Sequence, residues 1–476
     1  MTAVSGAAAS PAAGAFADRT GGHAVIAGAG LAGSLAALAL AQQGWRVTVV
    51  ERRPDPRTTA AAGGRSVNLG LSARGLAALE RVGLRERVLD LSVPMRGRVI
   101  HSHGALHSQP YGARPDEILH SLERHELAEL LLAEAERTGA VRTIFGAEVG
   151  DVDPAGALLV AVEGAPEWLR GDLVIGADGA NSGVRRGLER QGRCHTRIDT
   201  LPWGYKELAI PVAADGSPRT PLEALHVWPG DGALIVAHPN RDGSLTATVF
   251  LPLDSPAAAA AAAGDHAAVG AWLDRAFPDV PELMPDRVAE FCSHPTGHLV
   301  TIRADSWAAG RVVLVGDAAH AVYPFYGQGM NSAFEDILVL LDALAAHDVI
   351  PEALASFHAG RKPHLDVLAD LSEQNFAELR DATASPVFRL RRRIDLTLHR
   401  ALPGVWLPLY TMVTHRRTPY ADAVRRARRQ DRVLVAALGA IGAGAIAGIC
   451  VVVRGRTIDG SERQPPRTRA LARGRR

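Results

Sequence analysis

Three glycines and one acid near the start of the chain have the spacing of a site that binds a dinucleotide. Gly28, Gly30 and Gly33 form the pattern G-x-G-x-x-G, and Glu51 follows 18 residues later. The first glycine permits a tight turn, the second lets the backbone approach a pyrophosphate, and the third lets a helix pack closely on a strand. A carboxylate at the position of Glu51 accepts hydrogen bonds from both hydroxyls of an unphosphorylated ribose. The pattern therefore predicts FAD or NAD as the ligand.

Two motifs later in the chain favour FAD. Asp178, in Ala-Asp-Gly, and Asp317, in Gly-Asp-Ala-Ala-His, each follow an apolar strand, and Asp317 is placed to accept from a ribityl hydroxyl. The segment 324–331, Pro-Phe-Tyr-Gly-Gln-Gly-Met-Asn, precedes a helix predicted from about Ser332 to Ala346. The positive N-terminal end of that helix would stabilise the negative charge of a reduced flavin ring. Each motif alone is also compatible with a strand–helix joint that binds nothing, so the order of the three motifs carries the prediction.

The elements that must position these motifs alternate between strands and helices at first and become mostly antiparallel strands later. A strand at 23–27, a helix at 34–43 and a strand at 46–50 surround the glycine turn and form a βαβ opening. Alternation of polar and apolar residues predicts antiparallel strands in the middle of the chain, and helical patterns dominate from 351 to 430. The other predicted elements are strands at 173–176, 205–212, 222–228, 233–237, 245–251 and 312–315 and a helix at 257–263.

The composition is that of a globular protein and argues against several classes of function. The 476 residues are 47% hydrophobic and 22% charged. The 52 basic residues against 51 acidic ones give a net charge of +1, so no basic excess points to nucleic acid. Cys194, Cys292 and Cys450 are too widely spaced for a pair of metal ligands and too few for a disulfide framework. We therefore expect a cytoplasmic protein from a reducing compartment, without a metal site.

The C-terminal region contains a candidate membrane helix. Residues 433–453 form a stretch of 21 residues without a charge, between Arg432 and Arg454, and this is long enough to cross a bilayer. A Gly- and Ala-rich helix packed against the rest of the protein is the alternative interpretation. The basic tail at 454–476 is predicted to be disordered. Residues 1–22 lack a basic start and a long apolar core, which indicates a disordered leader rather than a signal peptide.

The ordered motifs resemble the single-component FAD aromatic hydroxylases of the para-hydroxybenzoate hydroxylase type, over about residues 23–345. A narrower resemblance, to the kynurenine 3-monooxygenase family, extends to about residue 430. It rests on Gly-Arg-Ser-Val-Asn-Leu at 64–69, Val-Pro-Met-Arg-Gly-Arg at 93–98, Ile-His-Ser at 100–102, Pro-Tyr-Gly at 110–112, Phe-Tyr-Gly-Gln-Gly-Met-Asn at 325–331 and Pro-Leu-Tyr-Thr-Met-Val-Thr at 408–414.

The resemblance implies an α/β fold. We expect a Rossmann-like FAD-binding domain with an interleaved, mostly antiparallel substrate domain and C-terminal helices. The expected boundaries are 23–200 and 299–350 for the FAD-binding domain, 201–298 for the sheet of the substrate domain and 351–430 for the helical region.

The resemblance also implies site residues where the motifs match. Arg98 would pair with the substrate carboxylate, Tyr111 and Tyr410 would donate to the same carboxylate, and Asn375 would lie near the polar end of the substrate. Tyr326 departs from the family pattern, in which Phe or His is common, at a position that lines the ring pocket. The implied FAD-binding residues are Gly28, Gly30, Ala32, Gly33, Glu51, Arg52, Arg53, Gly70, Arg124, Val149, Asp178, Asp317, Met330 and Asn331.

The reaction that the resemblance implies begins with reduction of FAD by NADPH. Dioxygen then adds at flavin C4a to give a hydroperoxide, and the ring of L-kynurenine is hydroxylated ortho to its amine to give 3-hydroxykynurenine. The flavin carries this chemistry, no side chain is an obligatory base, and His320 is interpreted as structural. NADPH is expected to dock transiently, because the chain has no second G-x-G-x-x-G unit.

Three alternatives stay open at this point. The first is a hydroxylase of the same class that acts on another aromatic acid or a kynurenine analogue. The second is a membrane-associated flavin reductase or dehydrogenase that acts on an isoprenoid, which would need an apolar pocket instead of Arg98 and the two tyrosines. The third is a non-catalytic flavoprotein tethered to a membrane, which would bind a partner through its basic tail.

Overall fold

A six-stranded, mostly parallel sheet lies at the centre of the protein. The structure is a computed structural model that describes residues 22–55, 57, 68–102, 104–162, 164–230, 232–377 and 386–440. The strands lie in the order Ala308–Ala309, Val312–Leu314, Leu173–Gly176, His23–Ala27, Arg46–Glu51 and Val141–Phe145, and only the first pair is antiparallel. The βαβ opening predicted from the sequence is confirmed.

Helices surround this sheet and bury its strands. The helix after the glycine turn begins at Leu31, three residues before the predicted start, because Gly30 already serves as its N-cap. The helix predicted from Ser332 likewise begins at Gly329. The helices are Leu31–Gln42, Ala73–Arg81, Arg85–Asp90, Arg124–Arg137, Gly183–Arg190, Pro256–Ala262, His266–Ala276, Val280–Leu283, Arg287–Ser293, Asp317–His320, Gly329–Ala346, Ile350–Ala377, Pro386–Ala401, Leu409–Thr414 and Tyr420–Ala440, with a 3₁₀ turn at Pro324–Tyr326.

A seven-stranded sheet forms the second layer and contains the antiparallel strands predicted in the middle of the chain. Its order is Gly297–Ala304, Thr196–Ile210, Leu245–Pro252, Leu234–Pro239, Ala224–Pro229, Gly97–Ser102 and Ala105–Pro110. The last two strands belong to a stretch that sequence analysis placed with the FAD-binding part. They join this sheet through a parallel pairing of Gly97–Ser102 with Ala224–Pro229. One face packs against the helices between 256 and 293.

Two three-stranded sheets complete the strand inventory of the described residues. The first contains Asn68–Leu71, Leu119–Glu123 and Val93–Met95. The second contains Ala165–Arg170, Ala157–Val162 and Ala147–Asp153. The first sheet leads directly into the strand that carries Arg98, and the second places Val149 beside the helix Gly183–Arg190.

The C-terminal helices pack against the core of the central sheet. Tyr420 is fully buried, its hydroxyl donates to Gln328 Oε1 at 3.3 Å, and the guanidinium of Arg74 lies 4.0 Å from the centre of its ring. Within the ranges given above, no helix is both long and apolar enough to cross a membrane. The helix Tyr420–Ala440 includes the first eight residues of the candidate membrane helix, 433–440.

Several predictions made for the chain ends fall outside the described residues. They concern residues 441–453 of the candidate membrane helix, the basic tail at 454–476 and residues 1–21 of the leader.

A partly buried network of hydrogen bonds connects the strand Gly97–Ser102 to the helical face of its sheet. His101 contacts Asp279 through Nδ1 and His226 through Nε2, both at 2.9 Å. Trp228 Nε1 donates to the same Asp279 carboxylate at 2.8 Å, and the other ring nitrogen of His226 lies 2.7 Å from the Pro221 carbonyl oxygen. Both histidines are buried, so this hydrogen-bond network holds in place the strand that contains Arg98.

We expect His226 to make the protein less stable as the pH falls below neutrality. Burial, aided by the neighbouring His101, lowers the pKa of His226 from 6.5 to about 4, although the bond to Pro221 opposes this. Between these two values the unfolded chain binds a proton that the folded chain does not. The free energy of unfolding therefore falls with decreasing pH across this window, by up to about 3 kcal/mol.

This pH effect is measured by denaturant unfolding at about pH 7 and about pH 5, and it should shrink in His226→Gln. Glutamine can still bond to both neighbours but does not titrate. The matched control is His298→Gln, at an exposed position of the same sheet, which should keep the wild-type pH dependence. An unchanged pH dependence in His226→Gln would contradict the assignment.

Candidate active site

A cavity of about 250 Å³ opens at the carboxyl ends of the parallel strands. Because these ends meet at one edge of the sheet, the cavity gathers residues that are far apart in the sequence. Asn181 and Arg186 line it but were missed by sequence reasoning, although they follow the Ala-Asp-Gly motif closely. The predicted cofactor residues that line it are Gly28, Gly30, Glu51, Arg52, Arg53, Arg124, Val149, Asp178 and Asp317.

The glycine turn has the geometry that its three positions require. Gly28 has a φ of +97°, and its N–H donates to the Val50 carbonyl at 2.7 Å. A Cβ atom at Gly33 would overlap the Gly28 carbonyl oxygen, so this glycine lets the helix lie against the turn. A Cβ atom at Gly30 would meet nothing within 4 Å. The protein does not need a glycine at position 30 for its own packing, so the open space there fits the approach of a phosphate.

The two glycines should respond differently to alanine. Gly30 has an extended backbone, with φ −72° and ψ −178°, which alanine adopts readily. We expect Gly30→Ala to weaken FAD binding by about tenfold or more without lowering the unfolding temperature of the apoprotein. We expect Gly33→Ala to lower the free energy of unfolding by about 2–4 kcal/mol, because of the overlap at its Cβ. Fluorescence titration measures the affinity for FAD, and thermal unfolding measures stability. If both variants lost FAD affinity and stability to a similar degree, the separate roles of Gly30 and Gly33 would be contradicted.

Glu51 lies at the end of its strand with an ionised carboxylate. It is buried, and it accepts from the Ala29 N–H at 2.9 Å and from the N–H and Nε of Arg53 at 3.0 Å. Burial alone would raise the pKa of Glu51, but the bonds from Arg53 and Ala29 outweigh it and hold the pKa below its usual range. A charged acceptor beside the glycine turn suits the hydroxyls of an adenosine ribose.

Asp178 organises the opposite wall of the cavity. Its Oδ2 accepts from the N–H groups of Gly183 and Val184, at 2.7 and 3.2 Å, and so caps the helix Gly183–Arg190. Its Oδ1 is buried without a hydrogen-bond partner in the described part of the chain, and burial raises the pKa of this carboxyl. Such an orphaned acceptor fits a ligand with hydroxyl donors. Asp317 begins a short helix at the same edge and is exposed to the cavity.

Five predicted cofactor residues do not line the cavity: Ala32, Gly33, Gly70, Met330 and Asn331. The side chain of Asn331 is fully buried and bonds within the protein. Its Oδ1 accepts from the Ser72 N–H at 2.9 Å, and its Nδ2 donates to the carbonyls of Gly70 and Gly327, both at 2.8 Å. The Asn331 amide therefore joins the strand that contains Gly70 to the first turn of the helix Gly329–Ala346. The structure gives the side chain of Asn331 a positioning role, since its hydrogen bonds all go to the backbone of the protein.

Arg98, Tyr111 and Tyr410 come together in a second group. The guanidinium carbon of Arg98 lies 5.7 Å from the ring centre of Tyr111 and 5.6 Å from that of Tyr410. The two tyrosine rings are stacked, with centres 5.8 Å apart. The Nε of Arg98 and the hydroxyl of Tyr111 are buried without a hydrogen-bond partner among the described residues. The Arg98 guanidinium and the Tyr111 hydroxyl are donors that lack an acceptor, and a bound carboxylate could supply it.

Arg392 is a second cation beside this group, and sequence reasoning missed it. Its Nη2 donates to the Pro110 carbonyl at 2.7 Å. Burial lowers the pKa of Arg392 to about 10, and the nearby charge of Arg98 adds to this effect. The charges of Arg98 and Arg392 repel each other, and an anion bound between them would offset this repulsion. The chain is so rich in arginine that no sequence signal distinguished this one.

Asn375 and Tyr326 approach the site from the side of the ring motif. The Nδ2 of Asn375 donates to the Phe325 carbonyl at 2.6 Å, which fixes the loop before the helix Gly329–Ala346. No hydrogen bond to Arg98, Tyr111 or Tyr410 is found for Asn375 in the part of the chain described. The ring of Tyr326 lies 5.9 Å from that of Tyr410, so the position that departs from the family pattern does adjoin the predicted substrate residues.

An aromatic cluster lies between the seven-stranded sheet and the ring motif. Phe325 packs against Phe376 at 4.5 Å and against Phe250 at 5.0 Å between ring centres. Trp203 meets Phe376 edge-on at 5.0 Å. These residues come from four separate segments, so the sequence pattern gave no sign of the cluster. An apolar wall of this kind keeps water away from an adjoining aromatic ligand.

Comparison with known proteins places the chain in a family. The chain matches the FAD binding domain family over residues 23–372. It is 55% identical over 416 residues to the kynurenine 3-monooxygenase of Salinispora arenicola, which covers 86% of this chain and 91% of that protein. It is 42% identical over 417 residues to the kynurenine 3-monooxygenase of Stenotrophomonas maltophilia, covering 87% and 91%.

The fold has solved counterparts. The tetrameric form of 2-methyl-3-hydroxypyridine-5-carboxylic acid oxygenase superimposes with a TM-score of 0.64 at 24% identity, covering 77% of this chain and 94% of that one. The tetracycline destructase Tet(51) superimposes with a TM-score of 0.60 at 17% identity, covering 81% and 99%. At these identities the likeness shows the fold alone.

Proposed function

Since this chain belongs to the kynurenine 3-monooxygenase family, we propose that its cavity holds FAD and that its Arg98 group binds the carboxylate of L-kynurenine. The activity is the FAD-dependent hydroxylation of L-kynurenine to 3-hydroxykynurenine, with NADPH and O₂ as co-substrates. The observation that carries the site assignment is the Arg98 group. Its buried donors have no acceptor among the described residues, and a substrate carboxylate supplies one.

We assign the cofactor residues by their place in the cavity. Gly28 and Gly30 lie where a pyrophosphate would meet the helix Leu31–Gln42, and the charged Glu51 would accept from the adenosine ribose. Asp178 and Asp317, on the other side of the cavity, would bind the part of FAD away from the adenosine. When bound, FAD supplies the electron transfer from NADPH and the activation of O₂. The protein contributes binding, orientation and exclusion of water.

The substrate residues orient the aromatic ring through its amino-acid end. The paired donors of Arg98 fix the carboxylate, and the stacked tyrosines restrict its position from two sides. The cluster around Phe325 would then cover the ring and exclude water. No side chain is needed as a base, because the ring amine of kynurenine itself activates the carbon that is hydroxylated.

The direct test is NADPH oxidation by the purified FAD-loaded protein, with and without L-kynurenine, followed by identification of the product. We expect kynurenine to stimulate the oxidation and 3-hydroxykynurenine to form. Stimulation that yields only hydrogen peroxide would mean that kynurenine acts as an effector and that another aromatic acid is the substrate. Absence of stimulation would overturn the assignment of the Arg98 group.

We further propose, from its length and flanking arginines, that the segment 433–453 attaches the protein to a membrane. The test compares the full chain with a chain that ends at residue 440, expressed in the same cells and separated into membrane and supernatant fractions. The full chain should collect with the membranes and the shortened chain should not. The same distribution for both chains would refute the attachment.

A further inference from the structure

A third buried polar atom without a partner lies beside Tyr111 and Tyr410, in the imidazole of His415. Its Nε2 forms no hydrogen bond within the described chain. The ring centre of His415 lies 6.2 Å from that of Tyr111 and 5.9 Å from that of Tyr410, so the three rings form a nearly equilateral triangle. The side chain is in effect buried, since the residue is 7% exposed. The function described above makes no use of this group.

The local contacts of His415 determine which form of the ring is present. Burial lowers the pKa of His415 to about 4, so the ring is neutral at physiological pH. A hydrogen bond to the backbone of Ile118 acts in the opposite direction on this pKa, as expected if the ring donates to the carbonyl. A neutral ring that donates from Nδ1 to this carbonyl keeps a free lone pair on Nε2, the nitrogen without a partner among the described residues.

The carboxylate of Glu117, whose charge acts on the pKa of His415, is already saturated with hydrogen bonds. Glu117 Oε1 accepts from His399 Nε2 at 3.0 Å and from Arg416 at 3.2 Å. Its Oε2 accepts from the N–H groups of Ala113 and Arg114, at 2.9 and 3.3 Å. Glu117 therefore has no capacity left for a ligand, whereas His415 Nε2 is an unoccupied acceptor whose ring lies beside the two tyrosines.

The chemistry of the substrate requires an acceptor at this place. An amino acid carries its ammonium group on the same carbon as its carboxylate. When the carboxylate binds to the Arg98 group, the ammonium must lie close by, where the guanidinium of Arg98 offers only donors and the hydroxyls of Tyr111 and Tyr410 are assigned to the carboxylate. A buried ammonium without an acceptor would be strongly disfavoured.

We propose that His415 Nε2 accepts a hydrogen bond from the α-ammonium group of the substrate and thereby makes the site selective for an α-amino acid over the corresponding acid without the amine. This assignment rests on the proposed function, because it takes the carboxylate position from the Arg98 group. It adds a specificity-determining residue at the polar end of the site.

The test measures dissociation constants of two ligands for the full-length, FAD-loaded protein through the change in flavin absorbance. The ligands are L-kynurenine and 4-(2-aminophenyl)-4-oxobutanoate, which differs from it only in lacking the α-amino group. We expect His415→Phe, which keeps the aromatic volume, to weaken L-kynurenine binding by roughly tenfold to a hundredfold. Binding of the analogue should change by less than about twofold.

A second variant keeps the test valid if His415→Phe does not fold. His415→Gln places an amide oxygen near the position of Nε2, and it should retain L-kynurenine binding within about threefold of wild type. Equal weakening of both ligands in either variant, or no weakening of L-kynurenine in His415→Phe, would overturn the role of His415 alone. If the wild-type protein bound neither ligand, the proposed function would fall and the role of His415 with it.

Discussion

Replacing Arg98 with methionine should raise the KM for L-kynurenine by about 30- to 150-fold, which corresponds to about 2–3 kcal/mol for the loss of a buried charge pair. The same change should leave the unfolding temperature of the substrate-free protein unchanged or higher. Arg98 Nε has no hydrogen-bond partner in the described structure, and the neighbouring Arg392 carries a like charge. Removing Arg98 therefore relieves repulsion in the free protein and removes attraction only when substrate is bound.

A matched control is available two residues away. Arg96 is 59% exposed and pairs with Glu223 at 2.7 Å on the surface. Arg96→Met removes the same charge from the same segment, and its KM should stay within about twofold of wild type. Steady-state kinetics and thermal unfolding of the two variants decide the matter. An unchanged KM in Arg98→Met would exclude Arg98 from the substrate site.

Replacing Asp336 with asparagine should lower the free energy of unfolding by about 3–5 kcal/mol and cause loss of FAD. This fully buried carboxylate accepts from the Gly316 N–H at 3.0 Å, from His320 Nε2 at 2.5 Å and from Arg361 Nε at 3.0 Å. Burial raises its pKa, but the charges of His320 and Arg361 outweigh this and keep the pKa below its usual range. An amide would present a donor to donors and leave Arg361 poorly neutralised.

The loss of FAD is expected because Asp336 holds the strand–helix joint that carries Asp317. The control is Asp342→Asn on the same helix. Asp342 is 71% exposed, and its ion pair with Arg81 is long, at 3.8 Å. That variant should unfold within about 0.5 kcal/mol of wild type and keep its flavin. Thermal unfolding and the flavin absorbance of the purified proteins provide the two readouts. Retention of FAD by an equally stable Asp336→Asn would show that this contact does not support the cofactor site.

The parts of the site that follow strand ends could be predicted from the sequence. Gly28, Glu51, Asp178 and Asp317 each come directly at or after an apolar strand, and parallel strands place such positions at one edge. The cavity found there contains all four. The local sequence pattern was sufficient to predict these four residues, because each motif includes its own strand and turn.

The parts of the site that depend on long-range pairing could not be predicted in this way. Arg392 and His415 reach Tyr410, and the cluster around Phe325 assembles, only through the packing of distant helices on the sheets. The two strands between 97 and 110 have the alternation of polar and apolar residues that any surface strand has. No feature of their own sequence assigns them to the seven-stranded sheet. The amide of Asn331 was assigned to the flavin, because the motif shows its position but not its hydrogen bonds to Gly70 and Gly327.

The order of strands in the central sheet has a consequence for biosynthesis. His23–Ala27 pairs on one side with Arg46–Glu51 and on the other with Leu173–Gly176, so one edge of this first strand stays unpaired until the ribosome has made well over a hundred further residues. Contacts of such long range fold slowly and leave apolar strand edges exposed meanwhile. Asp317 is made later still, which places completion of the flavin cavity late in translation. Recombinant yield should therefore respond to chaperone supply and to the FAD available when synthesis ends.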